Sequence, residues 1–146
     1  MHEESLAMRR QLGDQRGTAG SLCNLGAVAQ VQGDYAGARA LLEESLAICR
    51  QLGDQQGVAA CLDEMTAVAD GQSLPSQAAR LGGAAASLRE SLDAPLSPAE
   101  QAEVDKTIAA VREALGEDAF AAAWDAGRAM TWEQAVEFAM GETRPA

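Results

Sequence analysis

The sequence predicts an all-α fold, a right-handed solenoid of helix hairpins closed by a C-terminal helical cap, and three observations carry that expectation. Residues 3–17, EESLAMRRQLGDQRG, recur as residues 43–57, EESLAICRQLGDQQG, with twelve of fifteen positions identical. Gly-Asp pairs punctuate the chain at 13–14, 33–34 and 53–54. Hydrophobic residues make up 47% of the chain and aromatic ones only 3%, so Ala, Leu and Val supply the apolar mass. Alanine loses no side-chain entropy in a helix, which makes an Ala/Leu-rich chain poor in β-branched residues a helical one. Self-similarity at a fixed spacing marks stacked units, none of which buries its apolar face alone. No stretch of useful length alternates apolar and polar residues as a half-buried strand does.

The elements follow in order. Helices are expected over 2–12, 15–32, 35–52, 55–70 and 75–92. Gly13-Asp14 and Gly53-Asp54 each end one helix and open the next, the glycine giving a left-handed C-terminal cap and the aspartate capping the following N-terminus. Gly33-Asp34 makes the break before Tyr35. A third, decayed copy aligns Ala38, Leu41 and Ile48 with Ala78, Leu81 and Leu88. Its break is Gly71-Gln72-Ser73-Leu74-Pro75, with Pro75 early in a helix, where its missing N–H costs nothing. Residues 94–146 read as a separate capping region after the repeats of 1–93. Ser97-Pro98-Ala99-Glu100 and Thr131-Trp132-Glu133-Gln134 are capping boxes, in which the two end residues exchange hydrogen bonds. Val104, Ile108, Val111 and Leu115 share one helix face. Gly116 ends that helix, and Glu117 and Asp118 open the next, where acidic groups suit the positive helix end. Phe120 and Trp124 share a face there. In the last helix Trp132, Val136 and Met140 point inward and Phe138 falls off the stripe. The tail holds both tryptophans and both phenylalanines, which suits large side chains sealing the end of a solenoid, or an aromatic partner pocket with Phe138 as its exposed contact.

Leu22, Leu25, Gly26, Ala29, Gly33, Tyr35, Ala38, Leu42 and Ser45 have the spacing of one unit, and Leu62, Met65, Thr66, Ala69, Ala78, Gly82 and Ala85 repeat it. This pattern resembles the tetratricopeptide repeat, with small residues where helices cross and large ones between. It departs from the family in its period of forty residues and in Arg50, which stands where the helix-ending proline is usual and lets the second helix run on. The long period, together with the run AARLGGAAASLRES…EQAVEFA over 78–139, is similar to the C-terminal region of bacterial LuxR-type regulators and signal-transduction ATPases. The resemblance implies a non-catalytic scaffold or protein-binding module whose groove is lined by the first helix of each pair. Groove positions are then Cys23, Asn24, Ala27, Gln30 and Val31 in one repeat and Asp63, Glu64, Ala67 and Asp70 in the next. Lys and Arg are absent from them. A clamp for a peptide carboxylate is not expected, and an acidic groove favours a neutral or basic protein or peptide segment. The other reading of Asp63, Glu64 and Asp70 is a solvated face.

The net charge of −11 narrows the partners. The acidic excess is spread over both halves, so there is no basic face for phosphates and direct nucleic-acid binding is not expected. No stretch approaches a membrane span and the start of the chain is acidic, so the expected location is cytoplasmic. Catalytic centres lack their residues. His2 is the only histidine, no phosphate-binding GxxxxGK[ST] loop occurs, and the pairs Glu3/Glu4, Glu43/Glu44 and Glu117/Asp118 read as solvated helix faces. No cofactor or metal is expected. Cys23, Cys49 and Cys61 form no CxxC pair, and each falls in an apolar helical pattern as a small filler. Residues 2–12 lack a partner helix in this reading. Leu6, Met8 and Leu12 are expected to pack on the following pair, and the open N-terminal end offers a surface for homo-oligomerisation, the alternative to a partner-binding role.

Overall fold

Each Gly-Asp pair that makes a turn does so by the same local device. Gly33 and Gly53 adopt the left-handed region at φ 82° and 68°. Asp34 and Asp54 then accept hydrogen bonds from the amides of Gly37 and Gly57, both at 3.1 Å. A side-chain cap of this kind contributes about 1 kcal/mol per helix. The computed structural model describes the backbone of residues 2–142 and the side chains of residues 13–142, and among the described residues there is no strand. The helices are α1 (His2–Val31), α2 (Tyr35–Leu52), α3 (Gln55–Gly71), α4 (Pro75–Leu92), α5 (Pro98–Leu115), α6 (Glu117–Arg128) and α7 (Trp132–Ala139). None of them is long and apolar enough to cross a membrane. Both expected capping boxes form, Ser97 with Glu100 and Thr131 with Gln134.

The break expected at Gly13-Asp14 does not form, and α1 runs through it. The reason lies in what clasps each turn. At 53–54, Cys49 of α2 closes against Gly57 of α3, its Sγ only 2.6 Å from where a Cβ on that glycine would stand. At 13–14, no described atom comes within 4 Å of a Cβ built on Gly13 or Gly17. Continuing the helix adds a backbone hydrogen bond per residue, and without packing between the two arms nothing offsets a reversal. The packing expected of Leu6, Met8 and Leu12 lies outside the described residues.

Successive helices pair, α1 on α2, α2 on α3 and α3 on α4. The first helices of the hairpins also touch, α1 against α3 and α3 against α5, so that hairpins stack into a solenoid. One apolar cluster runs from Ala19 to Ala139, with Leu42, Leu46, Val58, Leu62, Leu81, Val111 and Val136 fully buried. Each such leucine contributes roughly 2–3 kcal/mol of hydrophobic stabilisation. Ser45 ties the layers together, its hydroxyl donating to the Ala19 carbonyl at 2.7 Å.

Glycines set the closest helix contacts. A Cβ on Gly26 would stand 2.8 Å from Leu42 Cγ. Gly83 of α4 lies against the Trp124 backbone and Gly127 of α6 against the Arg80 carbonyl, so the backbones of α4 and α6 touch directly. Trp124 stacks on Phe120 with centroids 5.4 Å apart. Helix α7 rests against α2, α3 and α4, and the Arg50–Glu142 pair at 2.9 Å fastens its end to α2.

Candidate functional site

Because α1, α3 and α5 line up side by side, residues on their common face project into one cleft of about 550 Å³. Cys23, Asn24, Ala27, Gln30 and Val31 of α1 form one wall. Asp63, Glu64 and Ala67 form the middle. Of the groove positions read from the sequence, Asp70 alone is not brought in; it is half-buried in the last turn of α3. The third wall is new. Glu100, Glu103, Val104 and Thr107 of α5 close the cleft, placed there by the Ser97 capping box that starts this helix. Their spacing of three and four residues is a helical stripe visible in the sequence. The repeat pattern stops before it, so the sequence alone places this stripe in the cap and not in the groove.

Four carboxylates face the cleft, and their states differ. Asp63 is paired: Arg89 of α4 donates to both of its oxygens, at 2.6 and 2.5 Å, with both side chains only 12–13% exposed. Burial nevertheless raises the Asp63 carboxyl above its ordinary value, outweighing the pull of Arg89. Glu100 is occupied as the cap of α5, and hydrogen bonds with Ser97 hold it below the usual carboxylate range. Glu103 is exposed. Glu64 is the unusual one. It is half-buried, has no hydrogen-bond or ion-pair partner among the described residues, and is pushed up by burial first and by neighbouring Asp63 second. A half-desolvated carboxylate without a cation is a cost that a bound cation relieves.

Around these charges the surface is small and apolar, with Ala27, Ala60, Ala67 and the half-buried Ile108 on the floor and Val31, 82% exposed, at the rim. Asn24, Gln30 and Thr107 add uncharged hydrogen-bonding groups. Among the described residues no Lys or Arg lines the cleft, and Arg89 is spent on Asp63. Sequence reasoning missed Arg89 because its partner lies 26 residues away on another helix, beyond any local pattern.

Phe138 differs from its expectation as a freely exposed contact. It is half-buried against the core, with the Arg80 guanidinium 5.1 Å from its ring centre. The cation over the ring face makes a favourable pair. The residue lines a separate shallow recess of about 450 Å³ with Leu74 and Pro75, remote in sequence from the cleft.

Comparison with known proteins bears on the repeats. The family model described as tetratricopeptide repeat matches residues 17–91, just over half of the chain. No curated protein and no solved structure matches.

Proposed function

Because the chain belongs to the tetratricopeptide repeat family, whose helical arrays serve protein–protein interaction, we propose that the cleft between α1, α3 and α5 receives a protein segment carrying Lys or Arg among small apolar residues. The observation that carries this reading is Glu64, a partly desolvated carboxylate without a cation among the described residues, in a cleft whose other charges are also acidic. An incoming ammonium or guanidinium gains a charge-assisted hydrogen bond there and removes the desolvation penalty. We read the module as non-catalytic and free of cofactor. Its setting in our reading is cytoplasmic, at the regulatory end of a bacterial transcription regulator or signalling ATPase. That setting rests on the likeness of the run 78–139 and on the forty-residue period.

The test is fluorescence-polarisation binding of a panel of short peptides, basic, neutral and acidic, with matched apolar content. Basic peptides are expected to bind best, and Glu64→Lys is expected to weaken them at least tenfold, about 1.4 kcal/mol. Affinity falls with added salt and with acidification, since the raised Glu64 takes up its proton above the usual carboxylate range. Equal binding of acidic and basic peptides rejects the reading.

A second reading, self-assembly, is favoured by one specific contrast. Leu25 and Val28 of α1 are 55% and 52% exposed, whereas their counterparts forty residues on, Met65 and Val68, are 2% and 1% exposed. The stripe that a neighbouring helix covers in one copy of the repeat is open in the other, and a second copy of the chain is the occupant this reading assigns to it. Sedimentation over a range of concentrations is expected to show association that Leu25→Glu abolishes. A monomer at the highest concentration removes this alternative and leaves the groove reading intact.

A further inference from the structure

The recess beside Phe138 is built from parts that the cleft lacks. Leu74, Pro75 and Phe138 give it an apolar lining, and Ser76, Gln77 and Arg80 supply its polar groups, around a volume of about 450 Å³. It shares no lining residue with the cleft. Leu74 is 41% exposed, so its mouth is apolar too. The cation is the informative group. Arg39, Arg50, Arg89, Arg112 and Arg128 each stand against a carboxylate. Arg16 and Lys106 are exposed to water. Arg80 is neither: it is partly buried, has no carboxylate beside it among the described residues, and its Nε is buried without a hydrogen-bond partner. The Phe138 ring, 5.1 Å from the guanidinium, steadies the group without neutralising its charge. A partly desolvated guanidinium is a cost that an anion relieves, and its planar fork of donors suits a carboxylate.

The internal repeat gives an independent view of the same place. Leu74 and Gln77 stand forty residues after Asp34 and Gly37. In the earlier copy the Asp34 carboxylate accepts a hydrogen bond from the Gly37 amide at 3.1 Å, and Asp54 does the same for Gly57. At α4 the capping residue is Leu74, and no side chain accepts from the amides of the first turn. An acidic cap has thus been exchanged for an apolar wall, on the face where Arg80 stands.

We propose that this recess binds a small monocarboxylate with an apolar body, an arylalkyl or short acyl acid. The carboxylate takes the position over α4 that Asp34 fills over α2, accepting from the Gln77 amide and from Arg80. The body of the ligand covers Leu74, Pro75 and Phe138, which removes apolar surface from water. One cation among three apolar side chains suits a single negative charge. A phosphate dianion, strongly hydrated, loses more water there than Arg80 returns. The site goes beyond the cleft reading and stands or falls apart from it.

The test is a titration of the isotope-labelled whole chain with 3-phenylpropionate, followed through the backbone amides and the arginine Nε–H signals. Saturable shifts are expected at Ser76, Gln77, Arg80 and Phe138, with an affinity of about 1 mM for a ligand of this size. Neutral 3-phenylpropionamide and inorganic phosphate are each expected to bind at least tenfold more weakly. Arg80→Met is expected to weaken the acid at least tenfold. Should that variant fold poorly by circular dichroism, Leu74→Asp gives the second readout. It restores the cap that Asp34 forms, so it is expected to hold or raise the melting temperature while abolishing binding, its own carboxylate occupying the site. Four results overturn the proposal: no saturable shift at any soluble concentration, equal affinity for acid and amide, undiminished binding in Leu74→Asp, or shifts confined to the cleft amides of Asn24 and Glu64.

Discussion

Replacing Gly127 with alanine is expected to lower the melting temperature by about 10 °C, the largest single-methyl effect in the molecule. A Cβ at this position stands on the Arg80 carbonyl oxygen, 2.8 Å from the Arg80 carbonyl carbon and 3.0 Å from the Ala84 nitrogen. The obstacle is helix backbone, which cannot turn aside as the end of a flexible side chain does. Overpacking of this kind costs about 3 kcal/mol once helices have shifted, and the gain of roughly 1 kcal/mol from replacing glycine in a helix does not offset it. For a chain of this size a loss of 3 kcal/mol corresponds to about 10 °C. Gly83, against the Trp124 backbone on the facing helix, is expected to behave alike. Gly20 of α1 is the control. Nothing described lies within 4 Å of its built Cβ, so Gly20→Ala is expected to be neutral or stabilising. Thermal melts followed by circular dichroism decide the matter, and a Gly127→Ala chain melting with the wild type shows that α4 and α6 do not meet backbone to backbone.

Replacing Arg89 with methionine is expected to cost roughly 2–3 kcal/mol at neutral pH, somewhat below the usual loss for breaking a buried ion pair because both partners keep 12–13% exposure. The loss arises from Asp63, left charged and without its donor beneath the cleft. Its pH dependence identifies the cause. In the folded chain the Asp63 carboxyl already lies above its ordinary value of 3.8, and removing Arg89 raises it further. A carboxyl raised on folding binds a proton more readily in the folded than in the unfolded chain. Stability therefore falls as pH rises through the window above the ordinary carboxylate range and is regained on acidification. Glu64 and Asp70, both raised by burial, shift the wild type in the same direction. Two outcomes follow: the wild type is expected to melt higher near pH 5 than at pH 7, and the gap between Arg89→Met and wild type is expected to narrow on acidification. In an Asp63→Asn background the same substitution should cost much less. A pH-independent gap would assign the loss to the packing of the arginine stem instead.

How far the sequence alone reaches depends on whether a feature is local or tertiary. The turns at Gly33-Asp34 and Gly53-Asp54, the Pro75 start and both capping boxes are written within four or five residues each, and the helices they bound begin within a residue of expectation. The same local signal failed at Gly13-Asp14, because a turn sequence permits a reversal while packing such as Cys49 against Gly57 selects it. The first two walls of the cleft follow from the resemblance through Asn24, Gln30, Asp63 and Glu64. The third wall and the Arg89 clasp on Asp63 belong to contacts between helices distant in sequence. Phe138 depends on a distant helix in the same way: it falls outside the apolar stripe of its own helix, and only the fold brings Arg80 from α4 over its ring.

Binding in the cleft between α1, α3 and α5 is tested by titrating the isotope-labelled chain with a short Lys/Arg-containing peptide and mapping the amide chemical shifts. Saturable shifts are expected at Asn24, Gln30, Glu64, Glu103 and Thr107, lost in Glu64→Lys, with Leu74, Pro75-proximal amides and Phe138 unmoved. Shifts gathered around Phe138 and Leu74 while the cleft amides stay still would contradict it.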